Sequence, residues 1–140
     1  MQHWMIYAIL SMVFAGITSI LAKYGLQNVS ADLGLGVRTT VIFIGVMLIN
    51  TYGARWREAF QLTSLQLSLL VASGVATILS WLFYYRAMKD GPVSFVAAID
   101  KGSIVITLLL SFVLLKEPMT PKILIGGALI FAGLIVLIWK

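Results

Sequence analysis

Asp100 and Lys101 stand side by side within an apolar run from Val93 to Leu115. A carboxylate in that setting can take up a proton or pair with a cation, and an ammonium can hold an anion. At the centre of a membrane helix each costs about 2.5–3.5 kcal/mol, so both need partners. Adjacent helical side chains point about 100° apart, and it is positions three or four apart that face each other. The expectation is therefore that Asp100 and Lys101 cannot fully pair with each other. Partners would come from another helix, a second protomer, water or a ligand, and Lys23, Arg38 and Arg86 fall towards the same side of the membrane. Two readings stay open. One is a fixed buried ion pair with Lys101 snorkelling outward, and the other is a substrate- or proton-binding site.

Polar residues in neighbouring runs extend this pattern. With Asp100, residues Ser103, Thr107 and Ser111 fall within roughly 80° of helical arc. Ser73, Thr77, Ser80 and Tyr84 recur at helical spacing along the third run, and Ser11, Ala15, Thr18 and Ala22 along the first, with Gly16 and Ser19 alongside. Small and hydroxyl residues let helices approach closely, which suffices to explain the first stripe. The fourth contains a carboxylate that packing does not require, and it points to a water-accessible cavity. The candidate substrate- or proton-binding residues are Asp100, Lys101, Ser103, Thr107, Ser73, Thr77, Tyr84, Arg86 and Lys23. Gly126, Ala128, Ala132 and Gly133 give the last run a surface of small residues without charge, a candidate dimer interface. Packing within one chain is the competing explanation.

No pattern of nucleophile and base, or of clustered metal ligands, is present. The chain has no cysteine and a single histidine, His3. No catalytic residue, metal or cofactor is expected, and the chain is not read as an enzyme.

The elements that must position these groups are membrane helices. Of the 140 residues 61% are hydrophobic and 11% charged, against about 25% charged in a soluble domain. Five apolar runs, Trp4 to Ala22, Leu35 to Tyr52, Leu65 to Tyr85, Val93 to Leu115 and Ile123 to Trp139, each approach the roughly 20 residues that cross a bilayer. Arg38 lies inside the second, whose start Gly34 and Gly36 loosen. The first is too long for the apolar part of a secretory signal and no basic stretch precedes it, so it is read as retained, with the mature chain beginning near Met1. Thr63 or Ser64 can cap the third helix and Thr120 the fifth, with Pro121 in its first turn. Pro92 is expected to open the fourth, and Arg55 to Leu62 forms a short basic and aromatic link. Trp4, Tyr52, Trp56 and Trp139 stand where an aromatic belt would.

The net charge of +5 sits at the ends of these runs, where cations meet lipid headgroups, and nucleic acid is not an expected partner. Five crossings put the termini on opposite sides. Arg55, Arg57, Lys116 and Lys122 then fall on one side, and Lys23, Arg38, Arg86, Lys89 and Lys140 on the other. Four against five is almost no bias, and that bias normally sets orientation, so insertion both ways round is plausible.

Several stretches together resemble the drug/metabolite transporter superfamily in its EamA-like branch. They are Leu115-Lys116-Glu117-Pro118-Met119-Thr120 followed by Gly126, Gly127 and Gly133; Tyr85-Arg86-Ala87 with Gly91 and Pro92; and Ala98-Ile99-Asp100-Lys101-Gly102-Ser103. The resemblance covers nearly the whole chain. It implies an all-α integral membrane protein whose five helices form one inverted-repeat unit, residues 1–140 as a single domain. Family members usually carry two such repeats with a substrate cavity between them. A single repeat implies a homodimer, antiparallel given the charge balance, that moves a small molecule. The function so implied is secondary transport, export of a small metabolite or amphipathic compound with a proton as possible coupling ion, in the cytoplasmic membrane of a prokaryote. A non-transporting membrane subunit is the alternative. Lys116 stands where many relatives have glycine before the glutamate. The small multidrug exporters of the superfamily use a carboxylate in the first helix, and this chain has none there.

Overall fold

The computed structural model describes residues 3–139. Met1, the expected start, and Lys140, one of the counted cations, lie outside the described residues. Helices make up the structure: α1 (His3–Gly25), α2 (Ala31–Tyr52), the short α3 (Trp56–Ala59), α4 (Ser64–Asp90), α5 (Val93–Asp100), α6 (Ser103–Leu114) and α7 (Pro121–Ile138). Five segments are long and apolar enough to cross a membrane, with α5 and α6 together forming the fourth.

Local sequence accounts for the helix starts. The Ser30 hydroxyl accepts from the Leu33 N–H to cap α2, and the Thr120 hydroxyl accepts from the Ile123 N–H to cap α7, with Pro121 at its start. Thr63 and Gln66 form a capping box ahead of α4: the Gln66 N–H donates to the Thr63 hydroxyl at 3.3 Å and the Thr63 N–H to the Gln66 side chain at 2.9 Å. Pro92 stands immediately before α5, without a side-chain cap.

Three helices outrun the apolar runs. The first extends to Gly25, the second begins at Ala31 and the third continues to Asp90. Apolarity marks the part that faces lipid, whereas backbone hydrogen bonding carries the helix on through Arg86 and Lys89. The fourth run differs more, because it is broken where the sequence reads a continuous helix from 93 to 115. At the break the bonds are three residues apart, Gly102 N–H to Ile99 O at 2.9 Å and Val105 N–H to Gly102 O at 3.0 Å. In such tighter turns side chains three apart eclipse, so Asp100 and Ser103 stand at the two ends of a local turn and not along one uniform α-helix.

Lys116 follows α6 with φ 54°, and the Glu117 N–H closes back on Ser111 O at 3.3 Å. That left-handed conformation costs a residue with a side chain about 1–2 kcal/mol, whereas glycine adopts it freely. Lys116→Gly is expected to raise the thermal denaturation midpoint of the purified protein by the equivalent of about 1 kcal/mol. An unchanged midpoint would mean the turn carries no such strain.

The chain forms two compact units, one ending at Asp90 and the other beginning at Gly91. In the first, α1 and α2 both pack on α4. Among the described residues only Leu26, Leu35, Tyr85 and Met88 are buried, Met88 completely. All four belong to this unit and gather where α1 ends, α2 begins and α4 ends. Most other large apolar side chains are exposed, as expected of a surface that meets hydrocarbon. In the second unit α7 packs against α5 and α6. There Gly127 lets α6 come close, since a Cβ at that position would lie 2.8 Å from Leu108 Cδ1.

Candidate functional site

The most elaborate polar arrangement lies at the buried end of the first unit. A helix leaves its last carbonyls without intrahelical partners, and in a membrane water is not at hand to meet them. Here two lysines meet them crosswise. Lys23, in the last turn of α1, donates through Nζ to Met88 O at 2.8 Å and Lys89 O at 3.2 Å, at the end of α4. Lys89, in the last turn of α4, donates to Leu26 O at 2.8 Å and Val29 O at 2.7 Å, just beyond α1. Each cation also sits at the negative end of a helix dipole. Next to them the Tyr84 hydroxyl and the Ser19 hydroxyl are 2.8 Å apart, tying α4 to α1.

Arg86 and Arg38 find different kinds of partner. Arg86 forks onto Asp32 of α2, Nε to Oδ1 at 3.1 Å and Nη2 to Oδ2 at 3.2 Å. Both side chains are more than half exposed, so the pair orients α2 against α4 and adds little stability. Arg38 has its guanidinium carbon 4.3 Å from the centre of the Trp81 ring and 5.6 Å from that of Tyr85. The rings attract the charge, yet they satisfy none of the planar N–H donors. Arg38 also lines a cleft of about 500 Å³ between α1 and α2, whose other walls include Thr18, Leu21, Ala22, Val37 and Tyr85.

The three cations expected as partners of Asp100 thus each have partners within the first unit. Asp100 has Lys101, with Nζ to Oδ2 at 3.3 Å. The two are expected not to pair fully, and they meet through this single contact. α5 ends at Asp100, so Lys101 lies in the turn, and its four-carbon stem reaches back to the carboxylate. The pair is partly exposed, with 36% of the Asp100 side chain and 61% of that of Lys101 accessible.

The hydroxyl candidates are mostly satisfied close to home. Thr77 donates to Ser73 O at 2.9 Å and Thr107 to Ser103 O at 3.0 Å. Bonds back to a carbonyl four residues earlier let a hydroxyl sit in a membrane helix without an outside partner. Lys23, Tyr84 and Arg86 are therefore brought together at one end of the first unit, while Ser73 and Thr77 lie farther along α4. Asp100, Lys101, Ser103 and Thr107 flank the break in the second unit. Gly126 and Gly133 on α7 face open space, with no atom within 4 Å of a Cβ built at either.

Asp32, Lys89 and the stacking of Arg38 on Trp81 are not among the residues singled out from sequence as a site. Arg38, Trp81 and Tyr85 would fall on facing surfaces had α2 and α4 been paired, which is the signal that could have found the stack.

Five helical segments of membrane-crossing length and apolarity define a multi-pass membrane protein. The profile of the EamA-like transporter family matches residues 2–139, and the chain belongs to that family of membrane transporters. It is similar to an uncharacterized transporter in the cobO 3' region of a Sinorhizobium species, with 34% identity over 136 residues that cover 97% of this chain and 96% of that protein. The two are thus nearly equal in length. No solved structure matches the chain.

Proposed function

We propose that the protein is a secondary transporter that exports a small metabolite or amphipathic compound in exchange for protons, acting as an antiparallel homodimer in the cytoplasmic membrane of a prokaryote. The observation that carries this reading is the interrupted fourth crossing with Asp100 and Lys101 at its break. Discontinuous membrane helices are where transporters place substrate and coupling-ion sites, because unwound backbone and helix ends can hold charge there. Asp100 is the proton-exchanging group in this reading, and Lys101 its neutralising partner in the unprotonated state. Ser103 and Thr107 follow it on α6, while Lys23, Tyr84 and Arg86, with Ser73 and Thr77 farther along α4, are separate candidate substrate-binding residues within the first unit. The whole chain acts as one transmembrane domain, and the second protomer supplies the other half of the cavity.

Reconstitution into liposomes tests this directly. With an acidic lumen, protons leave and the compound should accumulate inside; collapsing the gradient with an ionophore should release it. Accumulation indifferent to the gradient would remove proton exchange from the reading. Antiparallel assembly predicts that a tag at the C-terminus is labelled from both sides of the membrane, and labelling from one side only excludes it.

The dimer contact is assigned to α7, through Gly126, Ala128, Ala132 and Gly133. Support comes from the open space at both glycines, in contrast to Gly127, which meets Leu108. Replacing Gly126 and Gly133 by leucine should cost association on the order of 1–2 kcal/mol, about tenfold in the dissociation constant. A detergent dilution series read by cross-linking measures this, and an unchanged dimer would return these glycines to lipid contact.

A further inference from the structure

The cleft between α1 and α2 combines features the transport reading leaves unused. Its volume of about 500 Å³ lies within the range of about 300–1,000 Å³ typical of small-molecule pockets. Apolar side chains form most of its wall, among them Leu21, Ala22 and Val37. No carboxylate lines it, and one cation does. Among the described residues Asp32 is the acid nearest in sequence to Arg38, and it is occupied by both ends of the Arg86 fork.

Arg38 is therefore a half-buried guanidinium whose charge rests on the Trp81 and Tyr85 rings and whose donors meet no protein acceptor. A guanidinium presents its N–H groups in one plane, and that plane matches the two oxygens of a carboxylate or phosphate. The ring faces hold the guanidinium in place without consuming those donors. A ligand suited to this cleft offers one acid group to Arg38 and an apolar body to the α1 wall.

We propose that the cleft binds an organic monoanion with an apolar body, its acid group on the Arg38 guanidinium and its body against Leu21, Ala22 and Val37. This deepens the transport reading by naming the class of compound moved. The volume favours one small molecule over a two-chain lipid, so a freely diffusing anion is the occupant.

The full chain in phosphatidylcholine nanodiscs, titrated with 2-bromodecanoate, tests this through bromine quenching of tryptophan fluorescence, since Trp81 lies directly behind Arg38. Saturable quenching is expected with 2-bromodecanoate, and only the linear quenching of membrane partitioning with the neutral 2-bromodecanol. Arg38→Gln should raise the half-saturation concentration about tenfold or more, the loss of one charge-assisted fork. Gly25→Leu supplies a variant that keeps Arg38: Gly25 lines the cleft and a Cβ there meets nothing within 4 Å, so the side chain should fill the space and abolish saturation. Saturable quenching by the alcohol, or binding untouched in both variants, overturns the proposal. Adding phosphatidylglycerol to the nanodiscs should leave half-saturation unchanged; if it competes, the cleft belongs to bilayer lipid and the proposal fails. Saturable binding without proton-driven flux would retire the transport reading and leave the cleft assignment standing. Flux of other compounds with no saturable binding would do the reverse.

Discussion

Lys89→Met is expected to lower the stability of the purified protein more than any other single substitution in the first unit. The variant keeps the length of the aliphatic stem but removes the donor to Leu26 O and Val29 O, which lie 2.8 and 2.7 Å from Nζ. Hydrogen bonds from charged groups are worth about 1.5–3 kcal/mol, and a carbonyl left bare within the membrane has no water to turn to. The charge at the C-terminus of α4 goes with it, a further ~0.3–1 kcal/mol. Lys23→Met should also lower the midpoint, because it removes the donor to Met88 O and Lys89 O at 2.8 and 3.2 Å. Thermal denaturation monitored by circular dichroism checks both. Each lysine closes the helix end beside the other, so the double variant should lose less than the two single losses added together. Strict additivity would mean the two caps act independently, and an unchanged midpoint for Lys89→Met would mean that water or detergent reaches these carbonyls.

The second large effect is on coupling. For exchange of one proton with the membrane potential clamped at zero, a gradient of one pH unit is worth about 1.4 kcal/mol and sustains about a tenfold concentration ratio of the transported compound. Asp100→Asn preserves size and hydrogen bonding but cannot titrate, so that ratio should fall to about one while the folded dimer survives. The measurement is accumulation in liposomes at several imposed pH differences. If Asp100→Asn accumulates the compound with wild-type pH dependence, Asp100 is structural and the coupling site lies elsewhere. If the variant fails to fold and Asp100→Asn with Lys101→Met folds again, the 3.3 Å pair serves assembly, since the double variant removes both charges at once.

The membrane crossings are legible in the sequence because hydrocarbon imposes a length and a composition that little else produces. Helix ends are less so. α4 continues past Tyr85 because its last carbonyls are met by Lys23, and a carbonyl acceptor has no letter of its own in a sequence. The break in the fourth crossing has no proline to announce it, only Gly102, and it places Lys101 in a turn from which it reaches Asp100. Asp32 lies upstream of the apolar run that starts at Leu35, so counting that run leaves the partner of Arg86 out of view. Charge placement by membrane side does gather Lys23, Arg38, Arg86 and Lys89 at one level. Which acceptor each finds there depends on the packing of α1 and α2 on α4.

The polar links between helices described in the first unit engage α4 within residues 81–90, through Trp81, Tyr84, Tyr85, Arg86, Met88 and Lys89. Mechanically this makes α4 a lever pinned at one end. Its remaining arm, residues 64–80, is about 25 Å long, so a rotation of about 10° at the pin sweeps the far end by roughly 4 Å. Small adjustments among the lysine and arginine contacts would thereby be converted into wide travel at the far end of α4, with the pinned end serving as fulcrum.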